Sequence, residues 1–206
     1  MNSRSIKKVS YAIARYISTK MNENHTDKYI YYYALQVIIG TIIEAVFIYS
    51  VAWLMGILAE ALLSSVVFAT IRRYAGGFHQ DTYTKCFWTT SILILSIALL
   101  ARYSYYHYTA LINSVLFIAS IYLTYLYAPC DTINKPITSF EHRIELRNKA
   151  LALNIFWLSL SFSFIIYAPV YAPTVGWGAF VQALSITPII ADLSPLRKKI
   201  SSANSI

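Results

Sequence analysis

Two long apolar stretches restrict this chain more than any other feature. Residues 29–71 contain only two charged side chains, Glu44 and Glu60, and residues 150–191 contain no Asp, Glu, Lys, Arg or His. A helix of about 20 apolar residues spans a bilayer, so each stretch is long enough for two spans. Backbone groups in lipid must be hydrogen-bonded within their own segment, which favours helices. We therefore expect an all-α membrane protein.

The division of the apolar regions predicts six spans and one surface helix. Apolar residues recur at near-helical spacing within residues 4–20, among lysines and arginines, which predicts an amphipathic helix on the membrane surface. The expected fold is a polytopic all-α bundle of about six transmembrane helices with an N-terminal amphipathic interfacial helix. One domain accounts for residues 1–206, with a cytoplasmic arm at 1–28, the bundle at 29–191 and a cytoplasmic tail at 192–206. The spans are predicted at about 30–53, 57–71, 86–102, 110–128, 151–168 and 175–191.

Basic residues predict the orientation of the bundle. All but one of the 17 lysines and arginines fall in segments that six spans place on the same side of the membrane, and the exception is Arg102. The positive-inside rule makes that side cytoplasmic, together with both termini, His79 and Cys86. The net charge of +8 thus reflects topology and attraction to anionic membrane lipids. Nucleic-acid binding is not expected, because the basic residues are scattered over short loops.

The two cysteines, Cys86 and Cys130, both fall on the predicted cytoplasmic side. A reducing compartment disfavours a disulfide, and two cysteines without closely spaced histidines do not make a zinc site, so we expect no metal or cofactor. Cys86 is the better candidate for a reactive thiol because it opens the third predicted span. A helix N-terminus offers free N–H groups and a partial positive charge, which favour the thiolate. An inert thiol is the alternative for either cysteine.

His79 is the candidate base for such a thiol. It lies seven residues before Cys86, which is about 10.5 Å along a continuous helix, so a working pair requires the chain to fold back. Gly76-Gly77 and the polar segment 80–85 permit that turn. The group that would orient His79 is left open between Gln80, Asp81 and Glu44.

Several basic residues near this segment have two interpretations. Arg72 and Arg73 are either the positive end of the second span or a bidentate clamp on a substrate carboxylate, and for Arg73 the first interpretation is at least as strong. His142, which follows the turn-rich segment 128–137, is with Cys130 a weaker alternative thiol–base pair.

Two motifs in this order resemble those of the AgrB (accessory gene regulator B) family. One is Arg-Arg-x-Ala-Gly-Gly-x-His at 72–79, with Cys86 seven residues later, and the other is Ala-Pro-x-Asp-x-x-Asn-Lys-Pro-Ile at 128–137. The length, the multi-span topology and the basic N-terminal arm are also similar. The resemblance implies a membrane endopeptidase of Gram-positive quorum sensing, which processes an AgrD-like precursor peptide in the cell membrane and forms a homodimer.

The resemblance also implies roles for individual residues. Cys86 would be the nucleophile and His79 its base. Arg72 and Gly77 match positions needed for activity. Lys135 and Pro136 belong to the second motif, for which we infer only a structural or substrate-positioning role.

The implied reaction removes the acidic tail of the precursor through an acyl-thioester on Cys86 and then closes a thiolactone ring. Three alternatives remain open. A non-catalytic peptide carrier or exporter would show polar residues converging within the membrane and repeated halves. A membrane S-acyltransferase would depend on acyl-CoA and carry a lipid on Cys86. A purely structural bundle would leave the glycine, histidine and cysteine motif without a purpose.

Overall fold

The computed structural model describes residues 3–21, 25–77, 82–130 and 139–188. These ranges contain no β-strand, so the predicted all-α fold is confirmed. Two 3₁₀ turns, Tyr105–His107 and Pro169–Tyr171, come before the fifth and the seventh helix of the described chain. The α-helices are α1 (Ser3–Met21), α2 (His25–Leu54), α3 (Leu58–Ala75), α4 (Tyr83–Ser104), α5 (Ala110–Tyr127), α6 (Phe140–Tyr167) and α7 (Ala172–Ser185).

Four helical segments are long and apolar enough to cross a membrane, and together they make this an all-α membrane helix bundle. Large apolar side chains such as Ile38, Ile118 and Phe156 are exposed on their outer faces, as contact with lipid requires. The two other predicted spans correspond to α3, which carries three charged residues, and to α7, which is about 21 Å long. The count of six spans therefore stays a prediction. The four segments are Tyr29–Leu54, Tyr83–His107, Ala110–Tyr127 and Phe140–Tyr167.

Helix boundaries differ from the predicted ones mainly at the predicted cytoplasmic ends. Helix α3 continues four residues past the predicted end at 71, and α4 begins three residues before the predicted start at 86. Helix α6 begins at Phe140, so the charged segment 140–149 forms its first turns. Hydropathy misses such ends because a helix continues into water wherever its backbone remains hydrogen-bonded.

The short helix α7 lies at the centre of the bundle, in contact with α3, α4, α5 and α6. Ten of its 14 residues are buried. This buried fraction is larger than that of any longer helix in the described bundle. Small residues permit this close packing. At Gly176, for example, a β-carbon would collide with the hydroxyl of Tyr108. Small residues let helix backbones approach closely in membranes, where hydrophobic burial alone does not drive helices together.

Buried polar side chains, here called the polar seam, follow the surfaces at which α5, α6 and α7 meet. Within it, Asn113 Oδ1 accepts hydrogen bonds from Tyr108 (2.9 Å) and Ser161 (2.7 Å). Burial raises the pKa of Tyr108, which keeps this hydroxyl protonated. Further along, the Ser120 hydroxyl lies 2.6 Å from Asn154 Oδ1. The seam consists of Asn113, Ser120, Thr124, Asn154, Ser161 and Thr174, all of them fully buried.

Helix α1 packs along α2. Ser10, Ala14 and Ser18, spaced four residues apart, form its buried face, and Tyr11 meets Tyr32 of α2 edge to face with ring centroids 6.0 Å apart. Val9 is exposed, which agrees with an apolar face turned toward lipid. The predicted N-terminal helix is thus confirmed, whereas its position on the membrane surface stays a prediction.

Candidate functional site

The candidate site forms where the end of α3, the start of α4, the end of α7 and residues 128–130 meet. Helix α3 ends in a tight turn at Gly76, whose N–H donates to the carbonyl of Arg72 (2.9 Å). The φ of Gly76 is +74°, and a β-carbon there would lie 2.5 Å from the carbonyl oxygen of Cys130. Only glycine fits both conditions without strain. The first glycine of the motif therefore allows the segment that carries Cys130 to pack against the end of α3.

Backbone pairing fixes this contact. The N–H of Cys130 donates to the carbonyl of Ala75 (2.9 Å), which joins Gly76 and Cys130 in a single parallel bridge. From the other side, the side-chain amide of Gln182 on α7 donates to the carbonyl of Gly76 (3.3 Å). The glycine turn is thus held between two segments that are remote from it in the sequence.

The second glycine makes room for Arg72. A β-carbon on Gly77 would lie 2.9 Å from Nη1 of Arg72 and 3.2 Å from the hydroxyl oxygen of Ser185. Gly77 is buried and has a φ of +154°, a conformation that residues with side chains rarely adopt. The guanidinium of Arg72 therefore packs directly against backbone at this turn.

Arg72 is the electrostatic centre of the site. Its guanidinium lies over the ring of Phe68 at 5.6 Å from the centroid. It lies within electrostatic range of Cys86, Cys130 and Glu44, which come from three different parts of the chain.

Cys86 lies in the first turns of α4 and is partly buried. Thr82 caps this helix: its hydroxyl accepts from the N–H of Lys85 (3.4 Å), and its carbonyl accepts from the N–H of Cys86 (3.0 Å). The helix N-terminus expected at this thiol is therefore present, with its first N–H groups at Tyr83 and Thr84 rather than at Cys86.

Helix α2 closes the site beside α4. The hydroxyl of Tyr83 donates to the carbonyl of Gly40 (3.0 Å), and a β-carbon at Gly40 would lie 2.7 Å from the Tyr83 ring. One turn further along α2, Glu44 lies within electrostatic range of Arg72. The carboxylate that the sequence could not assign thus belongs to the same cluster as Cys86.

The remaining predicted site residues are distributed differently. Arg73 is exposed, with its guanidinium 5.9 Å from the centroid of the Tyr74 ring, which favours its interpretation as the positive end of the helix. His142 pairs with Glu145 at 3.4 Å on the exposed start of α6. The other predictions, His79, Lys135 and Pro136, lie outside the described residues.

Sequence reasoning missed two contributors to this site, Gln182 and Ser185, and it named Cys130 as a candidate thiol without placing it beside Gly76. Pro129, in the same motif as Cys130, marked that segment as a fixed turn, but nothing in the sequence indicated that it reaches Gly76. Gln182 and Ser185 lie in an uncharged predicted span, and nothing in the sequence distinguishes them from its other polar residues. Within the described ranges, no group of three His, Cys, Asp or Glu residues is arranged to hold a metal ion.

Comparison with known proteins connects this geometry to one family. The family model for accessory gene regulator B matches residues 10–186, which include every part of the site. A putative AgrB-like protein of Clostridium perfringens strain SM101 is 24% identical over 191 residues, covering 90% of this chain and 86% of its own. The accessory gene regulator protein B of Staphylococcus aureus strain Newman is 26% identical over 176 residues, covering 85% of this chain and 90% of its own.

No solved structure matches this chain. The family model nevertheless spans most of the sequence, from α1 through the end of α7, and the described parts of both motifs lie together at one end of the bundle. The chain belongs to the AgrB family of accessory gene regulator proteins.

Proposed function

We propose that this protein is a membrane cysteine endopeptidase that removes the C-terminal tail of an AgrD-like precursor peptide. Membership of the AgrB family supports a role in processing the accessory gene regulator autoinducer. The observation that carries the enzymatic proposal is the position of Cys86: it lies at the start of a helix and within the field of the packed guanidinium of Arg72. Reactive cysteines occur in such electropositive, partly exposed surroundings.

In the first step, His79 takes the proton of Cys86, and the thiolate attacks the carbonyl carbon that joins the signal segment of the precursor to its tail. His79 follows Gly77 by two residues, and Gly77 packs against Arg72. It precedes Thr82 by three residues, and Thr82 caps the helix that carries Cys86. Collapse of the tetrahedral intermediate breaks the C–N bond, and the imidazolium gives its proton to the leaving amine. The products are the free tail and an acyl-thioester on Cys86.

In the second step, a cysteine of the bound signal segment attacks the thioester carbonyl. A new C–S bond forms, the bond to Cys86 breaks, and the proton of the incoming thiol passes through His79 to the sulfur of Cys86. One thioester replaces another, so the ring closes without ATP. The apolar surroundings of the site, such as Phe68, would limit hydrolysis by excluding water.

The proposal includes a location and partners. With both termini and Cys86 on the cytoplasmic side of a Gram-positive cell membrane, the basic start of α6 would meet the acidic tail of the precursor. There Lys149 already pairs with Glu145 (2.5 Å), and Arg147 lies over the ring of Tyr125 at 5.2 Å. The arm at 1–28 would lie near the amphipathic leader of the precursor, and the enzyme would work as a homodimer surrounded by lipid.

The polar seam supports a second candidate, a membrane carrier that moves a peptide. Polar side chains converge inside the bundle along α7, which a carrier requires, and Asn113 Nδ2 and Thr174 Oγ1 are buried without a hydrogen-bond partner among the described residues. The direct hydrogen bonds along the seam favour a packing role instead, since Ser120, Asn154 and Ser161 all have partners.

Intact mass spectrometry of the protein in nanodiscs with its precursor distinguishes these functions. We expect tail release and a thioester adduct on the wild-type protein, neither product with Cys86→Ala or His79→Ala, and full processing by Cys130→Ala. Processing by Cys86→Ala would overturn the mechanism and favour Cys130 or a carrier. A lipid adduct on Cys86 that requires acyl-CoA would identify an S-acyltransferase instead.

A further inference from the structure

The bundle carries a second charged surface, between α3 and α6, which the two catalytic steps above do not use. Arg73 is exposed near the end of α3, and Lys149 is exposed in the first turns of α6. The ring of Tyr74 joins them: the guanidinium of Arg73 and the ammonium of Lys149 each lie 5.9 Å from its centroid. Two cations from segments that are remote in the sequence thus meet at one aromatic ring.

A second contact between the two helices fixes the groove that continues from this ring. The indole N–H of Trp157 on α6 donates to the hydroxyl of Thr70 on α3 (3.0 Å). Thr70 precedes Tyr74 by one turn, whereas Trp157 follows Lys149 by about two, so the helices run antiparallel. The groove between α3 and α6 therefore extends from the two cations toward the middle of the bundle.

Exposed apolar side chains lie deeper along both helices of this groove. Val66 on α3 is 50% exposed and precedes Arg73 by seven residues, and Phe156 on α6 is 56% exposed and follows Lys149 by seven. Seven residues are nearly two helical turns, about 10.5 Å, so each apolar side chain lies on the same helix face as its cation. Cations at one end of a groove and apolar side chains deeper along it match the two parts of a phospholipid.

The charge at the ring favours an anionic ligand. Arg73 has no ion pair with an acid among the described residues, and Lys149 pairs with Glu145 at 2.5 Å. Both side chains of that pair are half-exposed, so the pair contributes little, and the ammonium keeps donors for a further acceptor. Glu141, the other acid on this face of α6, lies two turns before Lys149, about 12 Å further toward the start of the helix.

We propose that the groove between α3 and α6 binds one anionic phospholipid, with its phosphate between Arg73 and Lys149 and an acyl chain along Val66 and Phe156. Basic residues between membrane helices bind anionic head groups, and tyrosine is favoured at the same depth. An acidic peptide would pair with the cations but leave the exposed apolar side chains uncovered, so the lipid fits the whole groove better. The inference goes beyond the proposed function and does not depend on it, because it uses neither the thiol nor its base.

Native mass spectrometry tests this site on the full-length protein, released from micelles that contain equal amounts of dioleoyl phosphatidylglycerol and dioleoyl phosphatidylcholine. We expect the wild-type protein to retain one phosphatidylglycerol in preference to phosphatidylcholine. Arg73→Gln/Lys149→Gln should reduce this preference roughly 30-fold, because each interfacial cation contributes roughly fivefold. Arg73→Lys/Lys149→Arg keeps both charges and should keep the preference. An unchanged preference in Arg73→Gln/Lys149→Gln would overturn the inference.

Two control variants separate a defined site from general attraction. Lys7→Gln/Lys8→Gln removes two exposed cations from α1, and it should lower the preference by less than about fivefold. Equal losses in this variant and in Arg73→Gln/Lys149→Gln would mean that net charge alone attracts the lipid, which overturns the site. Phe156→Ala removes an exposed side chain of the groove and should weaken lipid retention several-fold. Unchanged retention would overturn the position of the acyl chain.

Two soluble anions separate a lipid site from other anion sites. Inorganic phosphate and a hexapeptide of glutamate, each added in excess to the micelles, should not displace phosphatidylglycerol, because neither covers Val66 and Phe156. If the wild-type protein retains phosphate or the peptide and shows no preference for phosphatidylglycerol, the surface binds anions other than lipid and the inference is overturned. In neither case does the result bear on cleavage of the precursor, which is measured separately.

Discussion

The two ends of the α3–α4 pair differ in the surroundings of their buried charged side chains. At one end, Glu60 is 3% exposed, and its Oε1 forms an ion pair with Nη1 of Arg102 at a distance of 3.1 Å. At the other end, about 18 Å along the helices, Arg72 packs against a side-chain-free turn at Gly77, and Oε1 of Glu44 has no partner within the described chain. The end with the ion pair serves stability. The end near Cys86 has a carboxylate oxygen without a partner among the described residues and a turn that only glycine adopts without strain.

The largest expected difference between the ends comes from their glycines. Gly77→Ala should reduce the cleavage rate at least roughly 100-fold, because its β-carbon would displace Arg72 and strain the backbone at φ +154°. Gly56→Ala is the matched control: Gly56 also has a positive φ, +71°, but a β-carbon there meets no atom within 4 Å. Product formation from the precursor, measured by mass spectrometry for both variants at equal folded amount, checks this. Equal loss in both would mean that strain alone matters.

Replacing the guanidinium at the thiol end should have the next largest effect. Arg72→Lys keeps the charge but loses the planar group that packs on Phe68 and beneath Gly77, so we expect kcat/KM to fall roughly 10- to 100-fold. Arg73→Lys changes the exposed residue next to Arg72 and should lower kcat/KM by less than about threefold. Steady-state kinetics on a fluorescent precursor measure both. Similar losses for the two arginines would argue against a special position of Arg72.

Breaking the ion pair between Glu60 and Arg102 should lower the stability of the protein and leave the cleavage rate unchanged. Arg102→Gln leaves the buried carboxylate of Glu60 unpaired, which should cost about 1–3 kcal/mol of unfolding free energy, less than a fully buried pair because the Arg102 side chain is 56% exposed. Thermal unfolding in detergent monitored by circular dichroism should show a lower Tm with an unchanged cleavage rate at low temperature. A reduced rate with unchanged Tm would place this ion pair in the reaction after all.

The smallest expected effect concerns the contact between α2 and α4. Tyr83→Phe removes one hydrogen bond, 3.0 Å long, to the carbonyl of Gly40 while it keeps the ring that fills the space above that glycine. We expect a loss of about 1 kcal/mol in stability and at most a few-fold decrease in rate. Tyr83→Ala, which also empties the space beside Gly40, should do more. Equal effects of the two would show that the hydroxyl, rather than the ring, holds Glu44 near Cys86.

Much of this architecture could be predicted because it depends on neighbouring residues. The helices overlap every predicted span, and an amphipathic helix precedes them as predicted. The thiol at a helix start was also foreseen, with a shift of three residues at Tyr83. The family resemblance is confirmed over residues 10–186. The pairing of His79 with Cys86 stays a prediction, since His79 lies outside the described residues.

The amino-acid sequence by itself determined the all-α class, the approximate ends of the helices and the presence of Cys86 near the start of a helix. Apolar length, charge and turn residues are local properties, so they can be read along the chain. Tertiary structure alone decided that α7 is central, that the N–H of Cys130 bonds to the end of α3 and that Glu44 lies near Arg72. These outcomes depend on how closely distant backbones can approach, which small residues permit but do not specify.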